Sequence, residues 1–167
     1  MMVFYYIILG CLAVVLQMTL FNPSSLTAWR PELPALTVVL AAIHMRDERV
    51  YVSTGVTVVF HSVFSAQPIA ISLISYGFLA WFVLFQMQVF EKNLFWAAFM
   101  LALMGTFVFM IVDYLGYCFI SQYWRWDFGL WNKILIPSLL NGIIAPLICG
   151  ITLLIFSMLP ERQRKET

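Results

Sequence analysis

The stretch TAWRPELPALTVVLAAIHMRDERV, residues 27–50, places charges and helix-breaking residues directly before a short apolar run. Arg30 and Glu32 stand beside two prolines, and the apolar run Leu33–Met45 ends at the charge cluster Arg46–Arg49. Thirteen residues of helix extend only about 20 Å, whereas the hydrocarbon core of a bilayer is about 30 Å thick. A membrane-crossing helix built on this run therefore has to include Arg30 and Glu32 at membrane depth.

The composition of the whole chain identifies the class of protein. Of 167 residues, 63% are hydrophobic and 10% are charged, and the mean hydropathy is +0.93. A soluble domain carries about 25% charged residues, so the charges here are too few to cover a water-exposed surface. The chain is predicted to be an all-α integral membrane protein surrounded by membrane lipids. A net charge of +1 without a basic stripe excludes nucleic acid as a partner.

Charges and helix breakers divide the chain into six apolar segments, which predict a bundle of six transmembrane helices in a single domain, residues 1–167. The expected helices are 1–21, 30–45, 50–65, 68–90, 94–120 and 134–159, with an interfacial loop at 121–133 and a basic tail at 160–167. Six crossings put both termini on one side of the membrane. Six of the nine Lys and Arg residues lie on that side, which the positive-inside rule assigns to the cytoplasm.

Asp113 is the carboxylate that lies deep inside a predicted span, in the fifth helix. It follows Leu94 by about 30 Å of helix, which brings it near the outer interface. Arg30 and Glu32 emerge on the same side. The Glu32 carboxylate is stabilised by the positive N-terminal end of the second helix. The Arg30 guanidinium, at membrane depth, needs an anionic partner nearby. We predict an outer-side ion pair or polar pocket built from Arg30, Glu32 and Asp113. The alternative is that Asp113 is an ordinary acidic residue at the membrane interface, which caps a helix or pairs with a neighbour.

The sixth predicted helix carries small residues at a four-residue spacing: Ser138, Gly142, Pro146 and Gly150. Such a stripe lets another backbone approach closely, and it serves either internal packing or a partner. Asn141 lies beside the stripe. Pro146 frees a backbone carbonyl within the helix, and the Asn141 side chain can bond that carbonyl or a neighbouring helix.

The loop 121–133 is rich in aromatic residues and contains Trp124, Arg125, Trp126 and Trp131. Tryptophan is enriched both at membrane–water interfaces and in the energetic centres of protein interfaces. These residues therefore predict either headgroup anchoring or a partner-binding face.

The sequence contains no Ser/His/Asp arrangement, no metal-binding histidine motif and no glycine-rich phosphate loop. His44 and His61 are isolated: His44 is expected to be an interfacial donor, and His61 an interhelical hydrogen-bonding residue. The three cysteines are expected to be packing residues. We therefore expect a protein that is not an enzyme and that has no cofactor or metal.

Taken in order, several short motifs resemble the MreD family of rod shape-determining proteins. They are LQMTLF (16–21), WRPELPALTVVLAAIHMRDERV (29–50), STGVTVVFHSVFSAQPIAI (53–71), LLNGIIAPL (139–147) and the basic tail. The most specific are Leu16-Gln17, Arg30-Pro31 and Asn141-Gly142. The third-helix acid that relatives often carry has no counterpart here, because the corresponding region contains His61 and Ser62 instead.

This resemblance implies a non-enzymatic, multi-pass scaffold of the bacterial inner membrane that belongs to the cell-elongation (rod shape) complex. Such proteins bind MreC, a single-pass protein with a periplasmic β-domain. They help to link MreB filaments to peptidoglycan synthesis by RodA and its transpeptidase partner. The family's fold is thought to be similar to the S-components of vitamin importers, which leaves a small-molecule-binding importer subunit as the alternative.

A double-mutant cycle on Arg30→Ala and Asp113→Ala tests the predicted ion pair. We expect the two losses of unfolding free energy, measured in detergent, to be non-additive by about 0.5–3 kcal/mol. Arg46→Ala, at the other predicted membrane face, serves as a control that adds independently to Asp113→Ala. Additive losses for Arg30 and Asp113 would show that the two side chains do not interact.

Overall fold

The computed structural model describes residues 2–20, 31–65, 68–88, 94–122, 124 and 128–157. In these residues the chain forms helices and no strand, so the predicted all-α class is confirmed. The helices are α1 (Met2–Leu20), α2 (Leu33–Met45), α3 (Arg49–Ser65), α4 (Ile69–Met87), α5 (Leu94–Ser121) and α6 (Phe128–Ser157). Among these, α1, α4, α5 and α6 are long and apolar enough to cross a membrane. The other two, α2 and α3, have 13 and 17 residues.

The start of α6 differs from the sequence prediction, because residues 128–133 are helical rather than part of the interfacial loop. Leu130 and Ile134, four residues apart, are both buried, so one packed helical face continues through this region. The polar residues Asn132 and Lys133 are exposed on the other side. Their polarity resembled that of a loop in the sequence, but it belongs to the outer face of a helix.

The short helix α2 lies at the centre of the fold and packs against all five other helices. Eleven of its 13 residues are buried. A helix that is apolar all round is expected where neighbours cover every side. Because other helices and not lipid surround it, α2 does not need the length of a membrane-crossing helix.

Contacts between helices define two ends of the bundle. Near the start of α1, the Tyr5 ring contacts the Phe156 ring near the end of α6, with centroids 5.4 Å apart. We call this the Tyr5 end. Near the end of α1, Gln17 bonds to Glu32 directly before α2, and we call this the Gln17 end. The first and last described helices thus begin and finish at the same end of the bundle.

Two glycines allow helices to approach closely. A methyl group added to Gly10 on α1 would overlap the hydroxyl of Thr57 on α3. A methyl group added to Gly142 on α6 would lie 3.1 Å from the Cβ of Leu103 and 3.5 Å from the backbone oxygen of Phe99, both on α5. The α5–α6 contact therefore depends on a hydrogen atom at position 142.

We expect Gly142→Ala to lower the free energy of unfolding by about 1–3 kcal/mol, because the methyl group overpacks the α5–α6 contact. Gly150→Ala is the matched control on the same helix, since no atom lies within 4 Å of its added methyl group. It should leave stability unchanged or raise it slightly, because alanine favours helix more than glycine does. Thermal unfolding in detergent measures both, and equal effects would contradict the packing role of Gly142.

Candidate functional site

The start of α2 is held by a side chain from α1. Gln17 Nε2 donates to Glu32 Oε2 at 2.9 Å, and the Leu33 backbone N–H donates to Gln17 Oε1 at 2.9 Å. The first N–H groups of a helix have no partner within the helix, and Glu32, at the N-cap position, makes no capping bond with its side chain. Gln17 supplies that acceptor instead. Pro34, in the first turn, has no N–H group to satisfy.

The same helix start is held from the other side by α5 and α6. Asn141 Nδ2 donates to the backbone oxygen of Glu32 and to Thr106 Oγ1, both at 2.9 Å. Asn141 and Thr106 are each 0% exposed. We call Gln17, Glu32, Leu33, Thr106 and Asn141 the α2-start network. It joins the start of α2 to α1 and α6 directly, and to α5 through Asn141, by hydrogen bonds.

The α2-start network lies deep in the bundle. Asn141 lies about 20 Å along α6 from its start, and Thr106 lies about as far along α5 from its end, at 1.5 Å per residue. The central helix therefore begins well inside the ends of α5 and α6. Its shortness leaves room between its first turn and the Gln17 end.

A cavity of about 300 Å³ lies in this region at the Gln17 end. Residues from α1, α3, α4 and α5 line it together with the residue that precedes α2. Two methionines and two phenylalanines contribute apolar lining. The polar lining consists of Gln17, Glu32, His61, Ser65, Tyr76 and Asp113.

Glu32 and Asp113, two of the three residues predicted to share an outer-side pocket, both line this cavity. Glu32 is 7% exposed. Ser75 Oγ donates to Asp113 Oδ1 at 3.2 Å, which orients that carboxylate from α4. Arg30 lies outside the described residues, so its pairing with Asp113 stays a prediction.

Two aromatic side chains of the site were not assigned to it from the sequence. His61 is 7% exposed, and its ring centroid lies 5.4 Å from that of Tyr76. Tyr76 is 1% exposed, packs against Phe109 at 4.6 Å, and its hydroxyl makes no hydrogen bond to a described residue. A single tyrosine in an apolar helix looks like an ordinary core residue, so no sequence signal marks Tyr76.

The small-residue stripe of α6 is buried over most of its length. Ser138, Asn141, Gly142 and Pro146 are buried, whereas Gly150 is exposed. Since Gly142 packs closely against α5, the buried part of the stripe is an internal packing face. Only its Gly150 end is accessible to a partner.

Two of the four loop residues predicted as a partner or headgroup face are described. Trp124 and Trp131 are 56% and 42% exposed. Arg125 and Trp126 lie outside the described residues. The exposed tryptophans leave both roles open, because lipid headgroups and a protein partner would each contact such a surface.

A second buried cluster lies at the Tyr5 end. His44 Nδ1 is 2.8 Å from the Leu40 backbone oxygen and 2.8 Å from the Tyr6 hydroxyl, while Cys149 Sγ is 3.8 Å from His44 Nε2. Because the Leu40 carbonyl can only accept, His44 Nδ1 carries the proton. His44 Nε2 is then free of a proton and accepts from the Cys149 thiol. His44 is thus a half-buried donor within an interhelical cluster, and its expected position at the membrane interface stays a prediction. In the described ranges no three His, Cys, Asp or Glu residues group to hold a metal ion.

A larger cavity of about 510 Å³ also lies at the Tyr5 end, beside Arg46, Asp47 and Glu48. Arg46 and Glu48 are exposed. Asp47 pairs with Arg49 at 2.6 Å, and both of these side chains are more than a third exposed. This cavity is a solvated charged surface, whereas the one at the Gln17 end encloses buried polar groups. We therefore regard the Gln17-end cavity as the candidate site.

No family model, no curated protein and no solved structure matches this chain. The resemblance to the MreD family therefore rests on the short motifs alone.

We expect Asn141→Ala to lower the free energy of unfolding by about 1–3 kcal/mol, because it removes the donor to a buried carbonyl and a buried hydroxyl. Ser138→Ala is the matched control, since Ser138 is also buried but bonds only to Ile134 on its own helix at 2.7 Å. The free energy of unfolding should fall by less than about 1 kcal/mol in Ser138→Ala. Chemical unfolding in detergent measures both, and equal losses would show that the network does not join the helices energetically.

Proposed function

We propose that this chain is a non-enzymatic, multi-pass scaffold of a bacterial cell-elongation complex, similar to the MreD family. The observation that carries the proposal is that two of the three most specific motifs meet at the residue directly after the third. Gln17, Glu32 directly after Arg30-Pro31, and Asn141 belong to the same α2-start network. Asn141 and Glu32 are 109 positions apart in the chain. Motifs with a common structural role are expected to converge in this way, whereas chance similarities between apolar helices are not.

The surface of the bundle supports a location within a membrane. Large apolar side chains are widely exposed, including Phe4 and Val63 at 73%, Phe119 at 79% and Leu147 at 62%. Soluble monomers rarely expose large apolar patches, while hydrocarbon accommodates them. Together with the four long apolar helices, this supports a six-helix bundle in which α2 is screened from lipid by its neighbours.

The orientation proposed for the chain has both termini in the cytoplasm of a bacterium, in the inner membrane. The contact of Tyr5 with Phe156 supports termini on one side. Arg46 and Arg49 lie at the same end of the bundle. They follow the last turn of α2, where His44 bonds to Tyr6 of α1. The positive-inside rule then favours the Tyr5 end as cytoplasmic. The Gln17 end, with its cavity, faces the periplasm.

This orientation directs the exposed Trp124 and Trp131 towards the periplasmic side, where the β-domain of an MreC-like single-pass protein would lie. Trp131 is on the first turns of α6, and a rigid aromatic side chain on a helix is a suitable interface anchor. Through such a partner the chain would be linked to MreB filaments, RodA and its transpeptidase partner, and so to peptidoglycan synthesis.

A second candidate function is favoured by the cavity itself. At about 300 Å³, it lies at the lower limit of small-molecule sites, and its lining combines apolar walls with a few polar groups. A small-molecule-binding subunit of an importer, similar to an S-component, would have such a cavity on its outer side.

Mass spectrometry of the proteins that co-purify with the tagged chain in mild detergent from its native bacterium tests the proposal. We expect a single-pass protein with a periplasmic β-domain, and we expect Trp131→Ala to reduce its recovery at unchanged thermal stability. Trp96→Ala, a 59% exposed tryptophan at the start of α5, is the matched control and should leave recovery unchanged. Recovery of an ATPase module or a stoichiometric vitamin would overturn the scaffold and favour the importer subunit.

A further inference from the structure

The cavity of about 510 Å³ at the Tyr5 end, which we call the Tyr5-end cavity, combines charged side chains with an apolar aromatic surface. Arg46 and Glu48, from the loop between α2 and α3, contribute charges. Trp81 and Phe85 of α4 contribute apolar surface, and their rings stack with centroids 5.8 Å apart. Ligand sites commonly have volumes of about 300–1,000 Å³, so this cavity is large enough to bind a small organic group.

The Arg46 guanidinium is available to a ligand. Its Nε donates to the Ile43 backbone oxygen at 3.4 Å, which leaves the two terminal amino groups, and among the described residues no carboxylate pairs with it. The Arg46 backbone is left-handed, with a φ of 54°, a conformation in which a helix usually ends on glycine or asparagine. Arginine is unfavourable for the backbone there, which indicates that the position requires its side chain. A guanidinium with free amino groups suits a phosphate, whose oxygens accept two parallel hydrogen bonds.

The two carboxylates beside Arg46 differ in their pairing. Asp47 is neutralised by Arg49, since the two side chains are 2.6 Å apart. Glu48 is exposed and forms no ion pair within the part of the chain that the structure describes. The lining therefore presents one unpaired cation and one unpaired anion, which complement a ligand that carries both a phosphate and an ammonium group.

The apolar part of the cavity extends the site towards the hydrocarbon core. Trp81 lies about 9 Å along α4 from its last residue, Met87, at 1.5 Å per residue. A headgroup layer is about 5–8 Å thick, so a charged loop at the level of the phosphates places Trp81 where the acyl chains begin. Trp81 and Phe85 are 50% and 54% exposed, and tryptophan is enriched at this boundary. The charges and the aromatic rings thus follow the order of a phospholipid, from its headgroup to its chains.

We propose that the Tyr5-end cavity binds a zwitterionic phospholipid. Arg46 binds the phosphate, Glu48 accepts a hydrogen bond from the ammonium group, and the stacked rings of Trp81 and Phe85 pack against the start of an acyl chain. The proposal rests on the membrane location proposed above. It is independent of the choice between a scaffold and an importer subunit, because neither function assigns a role to this cavity.

Native mass spectrometry tests the proposal on the full chain, extracted from membranes in detergent and titrated with an equimolar mixture of phosphatidylethanolamine and phosphatidylglycerol. Both lipids carry a phosphate, but the first is zwitterionic and the second is anionic. We expect the wild type to retain phosphatidylethanolamine about threefold more tightly, because Glu48 attracts its ammonium group and repels the anionic lipid. Equal retention of the two lipids, or a preference for phosphatidylglycerol, would overturn the proposal.

Two charge variants separate the roles of Arg46 and Glu48. Arg46→Gln should weaken the retention of both lipids about fivefold, and it should fold normally because Arg46 is exposed. Glu48→Gln should retain both lipids but lose the preference between them. Lys133→Gln removes one exposed cation from the first turns of α6, at the Gln17 end, and is the control that should bind like the wild type. Unchanged retention in Arg46→Gln would contradict a phosphate site at this residue.

Two tryptophan variants test whether the lipid lies in the cavity. Trp81→Ala should weaken the retention of phosphatidylethanolamine about threefold, since it removes apolar contact area. Trp96→Ala is the matched control, because Trp96 is 59% exposed at the start of α5 and lies outside the cavity lining. Equal effects of the two variants would show that lipid binds the whole surface alike and would overturn the proposal. Extraction of the chain from the membrane fraction establishes the location on which the proposal rests, so a failure of selective lipid binding after that step overturns this proposal alone.

Discussion

The structure depends on a central helix that begins inside an apolar bundle, well away from the ends of its longest neighbours. An unsatisfied amide in such surroundings costs several kcal/mol, so the start of α2 requires partners from other helices. Gln17 of α1 accepts from the Leu33 N–H. Asn141 of α6 donates to the Glu32 carbonyl, which also accepts from the Leu36 N–H, and Thr106 of α5 is joined through Asn141. These bonds set the positions of three long helices along α2. Most other contacts of the bundle are apolar and have no comparable directional preference, apart from the hydrogen bonds of Asp113 with Ser75 and of His44 with Tyr6.

The buried start of α2 also explains the cavity. Thirteen residues of helix cover about 20 Å, and the neighbouring α5 and α6 have 28 and 30 residues. Central space that α2 does not fill remains at the Gln17 end, where the residue before α2 is Glu32. A polar network and a polar cavity are therefore adjacent for one reason, namely that the central helix is shorter than its neighbours.

The proposed functions use different parts of this architecture. Scaffold partners would contact the exterior, where exposed tryptophans and the accessible end of the α6 stripe lie. A small molecule bound by an importer subunit would occupy the interior, where Glu32, Asp113 and Tyr76 line one cavity.

The sequence by itself determined the all-α class and the apolar character of the long helices, because hydropathy depends only on which residues follow one another. It also predicted that Glu32 lies at membrane depth, since the run after it is too short to cross alone, and the structure buries Glu32 within the bundle. It did not determine where α6 begins, because Asn132 and Lys133 are polar whether they lie in a loop or on an exposed helical face. Nor did it indicate the roles of Tyr76 or Thr106, which resemble core residues until their neighbours are known. Only the tertiary structure decided that Gln17 and Asn141 meet at the start of α2, and that most of the α6 stripe packs internally. Hydrogen bonds and close approaches between distant segments depend on how the helices are aligned against one another, and a linear pattern does not contain that information.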